Sequence, residues 1–296
     1  MIGVSTSWRA KQVNSGKELL RELSEVGAEA LELEYRVSEE IFAELKPLIK
    51  KERIPILSIH NVFPLPQIEA PFALSAIDPE ERRLAVKLAH RTIEIASDLE
   101  AQAVVVHLDS VPMDSRFEEI FRLYDEEKYG TGEWDVLMGE QMKERRSKST
   151  KCLDAALFSL DELNRYATRY DIWLGVENRY FYHEIPNMEE MEVIFSRFTG
   201  SRVRYWHDVG HAHVEQSFGW QNQRELLDLF SEQMVGVHLH DVIGYSDHKA
   251  PGTGEVDFNL LKDYLRRDTL KTVEVFSEVG KEELKESLAY ISRLFS

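Results

Sequence analysis

Three histidines and an aspartate fall within seven residues of this chain, in the stretch Tyr205-Trp206-His207-Asp208-Val209-Gly210-His211-Ala212-His213. A second cluster follows: His238-Leu239-His240-Asp241, then Asp247-His248-Lys249 just ahead of Pro251-Gly252-Thr253-Gly254. Both clusters begin where a short hydrophobic run gives out into what reads as a loop. Imidazole nitrogens and carboxylate oxygens so placed form the ligand set of a divalent ion such as Zn²⁺ or Mn²⁺. Similar residues end other apolar runs: His60-Asn61, His107 with Asp109, Glu177-Asn178-Arg179, and Glu274. One histidine at a strand end is more often a hydrogen-bonded structural residue than a ligand. Ionisable groups at six successive strand ends are harder to explain that way, because a buried charge without a partner is costly. A divalent ion resolves the clustering.

The elements that must hold these residues alternate along the chain. Strand-like runs fall at 2–6, 30–35, 54–60, 103–108, 172–177, 203–207, 235–240 and 272–276. Amphipathic helical stretches lie at 16–26, 38–51, 79–98, 149–170, 188–198, 224–232, 258–266 and 282–294. Ser38, Asp78 and Asp257 stand at expected helix starts. Eight strand–helix units predict a (β/α)8 barrel, with an open, doubly wound sheet as the alternative. The barrel is favoured because it alone brings the ends of so many strands to one face. Residues 110–148 break the rhythm and read as a long insertion after the fourth strand. Its expected role is a lid or substrate-binding excursion, or else a helix packed on the rim. No repeat or linker divides the sequence, so a single domain over 1–296 is expected.

Composition narrows the function. Thirty-six Lys and Arg against 53 Asp and Glu give a formal charge of −17, which disfavours nucleic acid and anionic membranes as partners. Basic residues of the insertion (Arg116, Arg122, Lys143, Arg145, Arg146, Lys148) are interrupted by acids. Arg145 and its neighbours could instead recognise one phosphate or carboxylate on a small molecule. The single cysteine, Cys152, reads as a buried apolar residue, and the absence of signal-peptide and membrane-span patterns predicts a cytoplasmic protein. Homo-oligomerisation is left open.

On Gly175-Val176-Glu177-Asn178, His207-Asp208-Val209-Gly210-His211, Val237-His238-Leu239-His240-Asp241, Pro251-Gly252-Thr253-Gly254 and Val273-Glu274-Val275, the chain resembles the xylose isomerase-like barrel superfamily. That superfamily contains sugar and sugar-phosphate isomerases and epimerases, and also endonuclease IV. The resemblance spans nearly the whole chain except the insertion. Carried over from the epimerases, it implies one metal held by Glu177, Asp208, His238 and Glu274, with Glu177 and Glu274 as the acid/base pair. Glu278 is the fallback if the register of the last strand is displaced. Epimerases usually carry an arginine before the Pro-Gly-x-Gly turn, where this chain has Asp247-His248. Resemblance to endonuclease IV there implies up to three ions, adding His60, His107, His211, Asp247 and His248 as ligands. If only one ion binds, His60 and His107 become substrate contacts, and Asn61, Arg179, His211, His248, Lys249 and Arg145 are further expected contacts.

The leading expectation is a metal-dependent isomerase or epimerase of a sugar-like polyol or its phosphate, working by proton transfer beside a carbonyl. A di- or trinuclear phosphoesterase and a non-catalytic, metal-dependent binding barrel are the alternatives. Trp134, Trp206, Phe63, Tyr180 and Tyr182 could wall a sugar pocket, although such aromatics more often pack a core. His183 and His213 read as structural.

Overall fold

A computed structural model describes residues 1–66 and 72–295. Eight parallel strands close a barrel: β1 (Gly3–Ser5), β2 (Ala30–Leu33), β3 (Ile56–His60), β4 (Ala103–Val106), β5 (Trp173–Glu177), β6 (Val203–Asp208), β7 (Met234–Leu239) and β10 (Leu270–Val273). Each neighbours its predecessor in sequence, and β10 pairs with β1 to complete the ring. Two further short strands, β8 (Asp241–Ile243) and β9 (Ser246–Lys249), form an antiparallel hairpin in the loop after β7.

Helices α1 (Gly16–Glu25), α2 (Glu39–Glu52), α3 (Pro79–Asp98), α6 (Met188–Arg197), α8 (Gln223–Phe230) and α9 (Lys281–Leu294) surround the ring. The expected starts hold: Ser38, Asp78 and Asp257 each accept a backbone N–H with the side chain. Residues 258–263 form a 3₁₀ helix in place of the expected α-helix. The stretch after β6 is not a loop. Asp208 ends that strand and caps α7 (Val209–Ser217), its Oδ1 accepting the His211 N–H at 2.8 Å.

Residues 110–148, expected as an insertion, run on without a break into a barrel helix, and Phe121 within them lines the central cavity. They form α4 (Phe117–Asp125) and the first half of a single long helix, α5 (Gly132–Tyr170), whose second half is the barrel helix expected at 149–170. Apolar side chains explain why this extension packs down. Phe117, Phe121, Leu123 and Trp134 join Tyr180, Phe181, Phe218 and Tyr245 in an aromatic cluster at one end of the barrel. Phe121 stacks on Tyr245 with centroids 4.3 Å apart.

The barrel interior is closed beneath this end by Trp206, which is fully buried. Its ring fits because the flanking strands carry glycine: a Cβ at Gly236 would lie 2.1 Å from the Trp206 ring, and one at Gly175 would lie 2.8 Å from it. Trp206 is therefore a plug and not a pocket wall. Phe63 and Trp134 likewise pack in clusters.

Candidate metal centre

Four strands that neighbour one another around the barrel deliver the central group. Glu177 ends β5, Asp208 ends β6, His238 lies near the end of β7, and Glu274 follows β10. One ligand atom from each lies within 4.8 Å of all the others, and all four residues are buried. His238 Nδ1 sits 2.6 Å from Glu177 Oε1, 3.2 Å from Glu274 Oε2 and 3.5 Å from Asp208 Oδ2. Glu274 N donates to Leu239 O at 3.2 Å, which fixes the register that the sequence reading used. Glu278 is exposed.

Two further groups overlap the first. His60, His107 and Glu177 converge, with His107 Nε2 2.8 Å from Glu177 Oε2. On the other side His211, His240 and His248 converge. Asp247 Oδ2 lies 3.7 Å from His211 Nε2 and 3.5 Å from His248 Nε2. His240 is an addition that sequence reasoning noted only as a strand-end residue. Its Nδ1 accepts the His248 N–H at 3.0 Å, so its Nε2 donates to Asp208 at 2.9 Å. Gly210 makes room for that ring, since a Cβ there would lie 2.0 Å from it.

Electrostatics separates the two glutamates. Burial opposes ionisation of Glu177, but His107 and His238 overcome it and hold the carboxyl well below the usual range. Asp208 is held down in the same way by His211 and His240. For Glu274, burial outweighs the help of His238 and His60, and its pKa rises. Burial pushes the His107 imidazole down to about 4 and that of His248 well below its ordinary value.

These residues fit a divalent cation. Glu32, Glu177, Asp208 and Glu274 crowd one buried volume, and Glu32 Oε1 and both His60 ring nitrogens lack hydrogen-bond partners. Buried carboxylate oxygens and imidazole nitrogens converging on one point are a donor set for a divalent cation.

Above the centre lies a cavity of about 320 Å³ whose walls include Tyr35, Arg36, Phe121, Arg179, Tyr180 and Phe276. Of the expected contacts, His60, His107, Arg179, His211 and His248 line it. Asn61 is fully buried behind β3, and neither it nor Lys249 lines the cavity. Arg145 does not serve there. It is buried against Glu190 at 2.9 and 2.7 Å and donates to Tyr182 O and Glu184 O, which engages four of its five N–H donors away from the cavity. Arg116, Arg122 and Lys148 are likewise paired with Glu119, Glu126 and Glu144. Asp241, part of the second sequence cluster, accepts from the backbone N–H groups of Val242, Gly252 and Val256 and so shapes the Pro251 turn. His213 lies 3.8 Å from Glu255, away from the centre.

Two acids of the site escaped the sequence reading: Glu32 and Glu34 on and after β2. The signal was present in Ala30-Leu31-Glu32-Leu33-Glu34. Alternation puts both acids on one face, and in a sheet covered on both sides that face is the barrel lumen.

The chain belongs to the xylose isomerase-like TIM barrel family, whose profile matches residues 20–294. No curated protein sequence matches it. Among solved structures it is similar to 3-keto-D-glucoside 4-epimerase from E. coli, at 17% identity over 99% of this chain and 98% of that one, with a TM-score of 0.69. An L-ribulose 3-epimerase gives 14% identity over 99% and 94%, with a TM-score of 0.71. A D-psicose 3-epimerase from Clostridium cellulolyticum, solved with D-tagatose, gives 14% over 99% of each chain and a TM-score of 0.71.

Proposed function

We propose that this protein is a metal-dependent isomerase or epimerase of a free, unphosphorylated sugar. The convergence of Glu177, Asp208, His238 and Glu274 at the open end of the barrel carries the reading. These four would hold the ion, and a bound divalent cation would polarise the sugar carbonyl and stabilise negative charge developing on its oxygen. Glu177, kept ionised, suits the role of base toward the proton beside the carbonyl. Glu274, the other carboxylate of the centre that lines the cavity, suits return of a proton. The similar folds named for sugar epimerases agree with this chemistry.

The cavity's charge inventory favours the free sugar over its phosphate. Its two guanidinium groups are already engaged: Arg36 with Glu34 at 2.9 Å, and Arg179 with Glu177 and, at 2.8 Å, with Glu184. Asp247 and Glu274 add further carboxyl groups. A phosphate dianion would meet acids and no unengaged cation among the described lining residues. Tyr35, Phe121, Tyr180 and Phe276 offer faces for the apolar side of a sugar ring.

The test is conversion of unphosphorylated ketoses by the metal-loaded protein in D₂O. Deuterium should enter beside the carbonyl, and phosphorylated counterparts should not turn over. Reaction of the phosphates alone would overturn the choice of substrate.

A second reading, a multinuclear phosphoesterase, draws support from the His60–His107–Glu177 group and from His211, Asp247 and His248 beside the first. Neighbouring ions suit in-line phosphoester displacement. Hydrolysis of bis(p-nitrophenyl) phosphate that depends on His60 and His248, with no sugar turnover, would establish it in place of the first.

A further inference from the structure

His238 has two ring nitrogens, and the structure gives them different neighbours. Nδ1 faces the three carboxylates of Glu177, Glu274 and Asp208. Nε2 points the other way, to Glu32 Oε2 at 3.0 Å. Glu32 stands on β2 and His238 on β7, strands separated in the ring by β1 and β10, so the contact crosses the lumen. Glu32 is itself fixed. It is fully buried, and Ser58, its register partner on β3, donates Oγ–H to the same Oε2 at 2.6 Å.

A neutral imidazole presents one lone pair and one N–H, and the hydrogen bond made by one nitrogen decides what the other can do. An ion held among Glu177, Asp208 and Glu274 needs the Nδ1 lone pair. The ring proton must then sit on Nε2, where Glu32 accepts it. We infer that Glu32 is a positioning residue of the metal centre: with Ser58 behind it, it fixes the Nε2–H form and the orientation of His238, so that Nδ1 is aimed at the ion. The inference rests on the metal-centre reading above. Glu32 also lies among possible ligand atoms with His60, His238 and Glu274. Serving as a ligand there would call on the His238 nitrogen that faces away from Glu177, Asp208 and Glu274.

Affinity for Zn²⁺, measured on the full chain by competition with a chromophoric chelator, tests the idea without reference to turnover. Glu32→Ala should weaken binding roughly 10–100-fold, in line with the loss of other carboxylates behind ligating histidines, while still binding the wild-type number of ions. Glu32→Gln keeps an acceptor for Nε2–H and should recover part of the loss. Ser58→Ala, which leaves the carboxylate but frees it, should weaken binding less than Glu32→Ala. In the Zn²⁺-loaded protein, ¹⁵N spectra should place the His238 proton on Nε2.

Should Glu32→Ala fail to fold, the Glu32→Gln and Ser58→Ala affinities and the His238 spectrum carry the test. Variants binding Zn²⁺ within twofold of wild type, a His238 proton on Nδ1 in the loaded protein, or loss of one whole ion on substitution would each overturn the inference. In the first two cases the metal-centre reading stands so long as Asp208→Asn still abolishes binding. A wild type that binds no Zn²⁺ would overturn both.

Discussion

At the scale of single residues, the centre separates two chemically identical carboxylates by what surrounds them. Glu177 touches two imidazoles and a guanidinium, and ionisation wins. Glu274 meets the same low-polarity interior with fewer compensating contacts, and its pKa rises. If Glu274 exchanges a proton with substrate, Glu274→Gln should keep sugar binding and lower kcat by about 10²–10⁴-fold, the usual range for a general acid or base. A kcat within a few-fold of wild type would remove Glu274 from the chemistry. The strand-end acids and histidines were legible because a polar residue closing an apolar run is conspicuous. Glu32 was not: Leu-Glu-Leu-Glu reads equally as a half-exposed strand, and only closure of the barrel turns its acidic face inward.

At the scale of elements, two packing devices hold the site's frame. Arg145, in the first half of α5, ties that helix to the chain after β5 through Glu190 and two carbonyls. Arg145→Met leaves Glu190 buried without its partner, and loss of one member of a buried pair costs about 3–5 kcal/mol. Chemical denaturation should show a loss of that order, and an effect below about 1 kcal/mol would mean the pair is dispensable. The basic run around Arg145 suggested an anion site, because sequence shows charge but not the distant Glu190 that takes it up. The second device is the fit of Trp206 between Gly175 and Gly236. Gly236→Ala should cost about 1–3 kcal/mol by overpacking, read as a lowered Tm. An unchanged Tm would show that the plug can shift freely. The strand–helix order was legible from hydrophobic period alone. The union of the insertion with the barrel helix was not, since its polar, weakly periodic start gives no hint of where α5 begins.

At the scale of the whole molecule, burial of acids extends beyond the centre. Glu215 on α7 lines a second cavity, of about 370 Å³, and burial raises its pKa from an ordinary 4.5 to about 8. The folded state therefore binds a proton that the unfolded chain releases, so this group's contribution to stability is present below about 4.5 and is lost as pH climbs toward 8. Glu215→Gln should flatten that decline, raising Tm relative to wild type more at pH 8 than at pH 5. Equal shifts at both pH values would show that Glu215 titrates normally. No helix among the described residues is long and apolar enough to cross a membrane. The fold was readable from the order of elements, and most of the centre from the residues at their ends. The depth of acid burial was not, because it depends on which strands face each other across the lumen.

The most direct test of the account is metal content per chain, by elemental analysis of protein purified without chelator or added metal. The account predicts about one divalent ion, lost in Asp208→Asn or Glu177→Gln and retained when His211 is replaced. Protein that carries no ion, and takes up none when Zn²⁺ or Mn²⁺ is supplied, would contradict it.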